Sequence, residues 1–179
     1  GVSTQLSLFV YTATPIVKPH GVRLKTSQWR RIPDNSIPSR AKVNGAYVNS
    51  VLAHQDALDA GYDDCIFLDQ SGHVCELAAA NIFMVRGGRL ITPDTSSDLL
   101  EGINRRAILE LADTSGIPTQ ERTVDLTELY IADEVFVCGT SAFVASVAEI
   151  DGRHLNEDTP ITKKIAALHG ELLKNGDSL

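Results

Sequence analysis

Apolar and polar residues alternate with a period of two in several short runs of this chain, and recur with a helical period in a few longer ones. Leu6–Tyr11 (LSLFVY) reads as a strand. Thr14-Pro15 and Lys18-Pro19-His20-Gly21 are turn-rich, and Val22–Thr26 reads as a second strand. Pro33 and Pro38 make the next stretch irregular. From Ala46 to Ala60, the residues Tyr47, Val48, Val51, Leu52, Ala57 and Leu58 form a helical stripe that Gly61 ends. Cys65–Leu68 is a short apolar strand, Asp69–Gly72 a turn, and His73–Glu76 leads back out. Asn81–Arg86 and Arg89–Thr92 flank Gly87-Gly88, the pattern of a tight hairpin. A helix is predicted over Gly102–Ala112 and an edge strand over Thr119–Val124. A short helix then opens on a capping box of Asp125 and Glu128. Glu134–Cys138 has the continuity of a central strand, and Ala142–Ile150 is another. Pro160 stands at the first position of a final helix reaching about Leu173. The sum is an α+β domain with several hairpins rather than regularly alternating βαβ units.

Composition narrows the function classes. The chain has 179 residues, 43% hydrophobic and 22% charged, an ordinary globular balance for one domain. A net charge of −7 without a dense basic patch argues against nucleic acid as a partner. No apolar run reaches the roughly 18 residues that span a membrane. The first residues have neither the basic nor the long apolar region of a signal peptide. Cys65, Cys75 and Cys138 lack metal-ligand spacing. They are expected to be buried thiols in a reducing cytoplasm, with no metal site and no disulfide framework.

Four places carry candidate chemistry. The run AKVNGAYVNS sets Lys42 among small, partly apolar residues, with Tyr47 five positions on. A weakly solvated amine of this kind is what a Schiff-base lysine requires. Glu76 ends a strand and is followed by Leu77-Ala78-Ala79-Ala80, which offer it no cation. A protonated pyridine nitrogen would pair such a carboxylate; taken alone, the residue reads first as a plain surface glutamate at a strand end. Gly102 opens a helix at Glu101-Gly102-Ile103-Asn104, which exposes backbone N–H groups to a phosphate or merely starts a helix. Cys138-Gly139-Thr140-Ser141 puts hydroxyls beside backbone amides, a set of phosphate donors or a simple turn. An amine, an acid and phosphate donors together are what pyridoxal 5'-phosphate needs.

With those residues in place, the chain resembles the large, C-terminal domain of the class IV (fold type IV) aminotransferases, closest to the bacterial branched-chain amino-acid group. The resemblance runs through VRLKTSQWRRIPDNSIPSRAKVNGAYVNSVLA, AGYDDCIFLDQSGHVCE, NIFMVRGGRLITP, LEGINRRAILELA and LYIADEVFVCGTSA, in family order over about residues 15–155. It implies a D-amino-acid-aminotransferase-like fold, a pseudo-barrel of strands with flanking helices, and a homodimer or larger assembly. It implies amino-group transfer between branched-chain L-amino acids and 2-oxoglutarate. 4-Amino-4-deoxychorismate lyase, D-amino-acid transaminase and an inactive remnant of the fold are the alternatives.

By the same resemblance, Lys42 forms the imine with the cofactor and shuttles the proton. Glu76 faces the pyridine nitrogen. Tyr47 sits near the cofactor's phenolic oxygen and the substrate carboxylate. Ile103 and Asn104 bind phosphate through backbone N–H groups, Asn104 standing where the family usually has threonine. Thr140 adds its hydroxyl, and Ser141 lies beside the substrate carboxylate. Leu77–Ala80 and Phe143–Ser146 depart from the family's usual residues, and Ser141 replaces the usual alanine. The resemblance also implies that residues 1–13 are the last strand of a small N-terminal domain, 14–20 a linker and 21–179 the large domain. The phosphate-gripping arginine is then expected from that small domain, and the chain is expected to be a fragment of the enzyme.

Overall fold

The computed structural model describes residues 4–12, 18 and 20–175. Part of the expected terminal strand and most of the expected linker lie outside them. Among the described residues, nine strands and four helices follow one another in chain order. Strand β1 is Val22–Arg30 and helix α1 Tyr47–Asp59, entered through a 3-10 turn at Asn44–Ala46. Then come β2 Asp64–Leu68, β3 Val74–Leu77, β4 Asn81–Arg86 and β5 Arg89–Thr92. Helix α2 Ile103–Thr114, β6 Thr119–Glu121 and the short α3 Leu126–Leu129 follow. The chain continues with β7 Glu134–Gly139, β8 Phe143–Ile150, β9 Arg153–His154 and α4 Pro160–Asn175.

The strands form one sheet in the order β3-β2-β1-β8-β7-β4-β5-β6, with β9 on β8, curled into half a barrel. Its central strands are buried on both faces. In β4, Ile82 and Met84 join one apolar cluster and Phe83 and Val85 another. Strand β7 repeats this with Val135 and Val137 against Phe136 and Cys138. A period of two carries successive side chains to opposite faces, so both faces need a cover. One cluster draws on β1, β2, β3, β4, β7 and β8 together, which is possible because the sheet curls around it. Helices α2 and α4 cover the other face at Phe83, Ile108, Phe136 and Ile165, and α1 covers β2 through Ala53, Ala57 and Phe67. Phe83 and Phe136 are direct cross-strand partners and stack 5.0 Å apart.

Locally signalled features form as expected. Gly87 and Gly88 have φ of 56° and 73°, the left-handed pair that a twisted two-residue hairpin demands. The capping box closes on α3, where the Glu128 carboxylate accepts the Asp125 N–H at 3.1 Å. Three expectations are corrected. Residues 4–12 are exposed and form no strand, because the described residues bring no sheet edge to Leu6–Tyr11 and alternation alone does not make a ladder. Strand β1 runs to Arg30 because β2 pairs with it as far as Leu68. Strand β6 is shorter than expected, but it does lie at an edge of the sheet. The chain also holds two βαβ units that the pattern did not predict: β1 and β2 are parallel across α1, and β5 and β6 are parallel across α2.

Candidate active site

A cavity of about 260 Å³ opens where α1, the β3–β4 bend, the start of α2 and the β7–β8 turn converge. Lys42, Tyr47, Glu76, Ile103, Asn104 and Thr140 all line it; Ser141, the next residue in the turn, does not. Six of the seven expected site residues, distant in sequence, therefore share one space.

The loop that delivers Lys42 is irregular but tied. The Asp34 carboxylate accepts both the N–H and the hydroxyl of Ser39, which hold it below the usual carboxylate range. The Val43 N–H then donates to the Ala41 carbonyl at 2.7 Å, a three-residue turn centred on Lys42. Its Nζ lies 5.9 Å from the centre of the Tyr47 ring, which stands on the first residue of α1. Lys42 is exposed rather than set among apolar groups, contrary to the expectation drawn from its neighbours in sequence.

Glu76 is buried, 5% exposed, on β3. Its Oε1 meets Arg31 Nη2 at 2.7 Å, while Oε2 accepts from Asn81 Nδ2 at 3.1 Å and from the Leu100 N–H at 3.2 Å. The residues that follow Glu76 offer it no cation, as expected; the cation comes instead from Arg31, just past the end of β1. Burial pushes the Glu76 carboxyl up to about 7, while Arg31, the Leu100 N–H and Lys42 pull the other way. Asn81 also donates to the Leu100 carbonyl at 2.9 Å, so one amide clamps the acid to the segment leading into α2.

Helix α2 begins at Gly102, which has extended backbone angles and no side-chain cap. A Cβ there would lie 2.4 Å from Asn81 Oδ1, so the position admits no larger residue without moving the Asn81 clamp. The N–H groups at Ile103 and Asn104 belong to the first turn, which lacks intrahelical acceptors. With Thr140 lining the same cavity they suit an anion. One end of the Asn104 side chain is held from behind: its Oδ1 faces Nε2 of buried His169 on α4 at 3.1 Å. The residues fit pyridoxal phosphate: an amine, a buried acid and an uncapped helix start share one cavity.

Sequence reasoning missed Arg31, Asn81, the Leu100 N–H and His169. In sequence, Arg30-Arg31 is only a short basic cluster. Its place at the end of a strand, beside the strand that leads to Glu76, is the signal that could have found it. The cysteines behave as expected, all three free and buried, with burial raising each thiol, Cys138 to about 12. Among the described residues no group of side chains is arranged to hold a metal ion, and no helix is long and apolar enough to cross a membrane.

Residues 1–150 match the family described as Amino-transferase class IV. A probable branched-chain-amino-acid aminotransferase of Synechocystis is 43% identical over 155 residues, covering 87% of this chain and 51% of that protein. One from Aquifex aeolicus is 49% identical over 148 residues, covering 81% and 48%. Among solved structures, the branched-chain aminotransferase of Thermoproteus uzoniensis with norvaline superposes with a TM-score of 0.89 at 38% identity, covering 94% of this chain and 56% of that one. The branched-chain amino acid aminotransferase of Thermobaculum terrenum in its PLP form gives 0.84 at 38% identity, covering 88% and 52%. The chain spans about half the length of the curated relatives it matches.

Proposed function

We propose that this chain, which belongs to the class IV aminotransferases, is the cofactor-holding part of a pyridoxal-phosphate-dependent enzyme that moves an amino group between branched-chain L-amino acids and 2-oxoglutarate. The observation that carries the reading is a buried acid, Glu76, sharing a cavity with the amine of Lys42 and the uncapped start of α2. The names of the similar relatives support the substrate class.

Pyridoxal phosphate, when bound, supplies a protonated ring that takes up the electron pair of the broken Cα–H bond. Lys42 would hold the cofactor through its amine and carry the proton to and from the substrate Cα. Glu76 keeps the ring nitrogen charged, and Arg31, Asn81 and the Leu100 N–H keep Glu76 in place for it. The Ile103 and Asn104 N–H groups and the Thr140 hydroxyl bind the phosphate. Tyr47, its ring centre 5.9 Å from Lys42 Nζ, would stand near the substrate carboxylate, and Ser141, next to Thr140 in the β7–β8 turn, would lie beside it. In the same reading, residues 21–179 are the large domain, residues 1–13 belong to a small one, and the working enzyme is a homodimer or larger. Exposed Val48, Val51 and Leu58 on α1 support such an assembly. Three buried free thiols support a reducing compartment.

The test is a set of half-reactions on the full-length, cofactor-loaded protein. L-Leucine should yield its 2-oxo acid, with 2-oxoglutarate accepting the amino group and D-alanine inert. Preferential turnover of D-alanine, or pyruvate release from aminodeoxychorismate, would overturn the substrate assignment.

A further inference from the structure

His169 is 2% exposed on the packed face of α4, one turn beyond Ile165, which is also fully buried. A polar ring in such a place is costly without a partner. Among the described residues the hydrogen bond recorded for it is the one to Asn104 Oδ1. Burial lowers the basicity of His169, so the ring is neutral and carries a single N–H. With Nε2 facing an oxygen, that N–H sits on Nε2.

The consequence concerns the other end of the Asn104 amide. An amide has a donor end and an acceptor end of nearly equal shape. Beside a phosphate the oxygen repels and the amino group binds. A threonine hydroxyl needs no such arbitration, because it rotates until it donates. An asparagine does need it. We propose that His169 is a positioning residue for the phosphate: its Nε2–H holds the Asn104 oxygen away and leaves the Asn104 NH2 group to donate to the cofactor.

The helix that carries His169 is itself anchored. The buried Glu134 carboxylate accepts the Ile161 N–H at 2.9 Å and the Thr162 N–H at 2.7 Å. Glu134 begins β7, and the far end of that strand leads to Thr140 at the cavity. One strand therefore sets both the helix behind Asn104 and a hydroxyl at the same cavity.

The inference rests on the cavity being the site of a phosphate-bearing cofactor, and the experiment separates the two. Full-length apoprotein is titrated with pyridoxal phosphate and with pyridoxal, by absorbance. The wild type should prefer the phosphorylated form; equal affinities would sink the cofactor reading and this inference with it. His169→Phe should weaken pyridoxal phosphate about tenfold, the worth of a hydrogen bond to a charged group, and leave pyridoxal unchanged. Adding Asn104→Thr to His169→Phe should restore the preference, because a hydroxyl needs no orienting partner. An unchanged ratio of the two affinities in His169→Phe overturns the proposal, as does a loss shared equally by both ligands. Nitrogen-15 spectra of the wild type guard against a variant that fails to fold. His169 should be the Nε2–H tautomer, and the Asn104 side-chain protons should shift with pyridoxal phosphate but not with pyridoxal. An Nδ1–H tautomer, or an Asn104 amide indifferent to the phosphate, would also overturn it.

Discussion

Glu76 shows how one residue's chemistry is set by parts of the chain that its neighbours do not reveal. Its carboxyl is raised to about 7 from an ordinary 4.5, first by burial. The folded chain therefore holds a proton over that interval that the unfolded chain has released. Stability from this group is present below pH 4.5 and is lost as pH rises through about 7. Urea unfolding of the apoprotein should show that decline, on the order of 3 kcal/mol at most, and Glu76→Gln should flatten it. A variant as pH-dependent as the wild type in this range would contradict the assignment. Arg31→Leu should cost about 3 kcal/mol at pH 8, where it strands a buried carboxylate, and clearly less at pH 5, where the acid is neutral. An equal loss at both pH values would mean that Arg31 acts through packing alone. The sequence shows Glu76 as a candidate because carboxylates beside apolar runs stand out. It does not show Arg31, 45 positions earlier, because only the pairing of β2 with both β1 and β3 brings the two together.

Among the elements, features closed within a few residues are legible in the sequence and those needing a distant partner are not. The Gly87-Gly88 hairpin, the α3 capping box and the Pro160 start of α4 follow from local chemistry. Leu6–Tyr11 alternates as well as any strand here yet forms none, because a strand exists only with an edge to pair against. The start of α2 lies between these cases. Its glycine is readable, but the reason for it is Asn81, which a Cβ at Gly102 would meet at 2.4 Å. Gly102→Ala should therefore destabilise the protein by about 1–3 kcal/mol as the Asn81 clamp shifts. It should also weaken pyridoxal phosphate binding. Thermal melts and absorbance titration would check both, and a neutral variant would show that the Asn81 clamp does not hold the helix start. Glu134→Ala should cost about 2 kcal/mol, since it leaves two α4 N–H groups without their buried acceptor. A melt matching wild type would show that water replaces it.

Across the whole molecule, a curled sheet buried on both faces brings four separate stretches of chain to one cavity. The composition of that constellation can be read from the sequence, because an imine-forming lysine, an acid and phosphate donors form a recognisable set. Its geometry cannot, since the convergence depends on the parallel pairings of β1 and on α4 packing behind α2. All of the proposed chemistry depends on Lys42 being the amine that holds the cofactor, and one labelling experiment addresses it. The full-length protein is incubated with pyridoxal phosphate, reduced with borohydride and digested, and the modified peptide is sequenced. Lys42 should carry a reduced pyridoxyl group that is absent in Lys42→Ala; a label on another lysine, or none, would contradict the assignment.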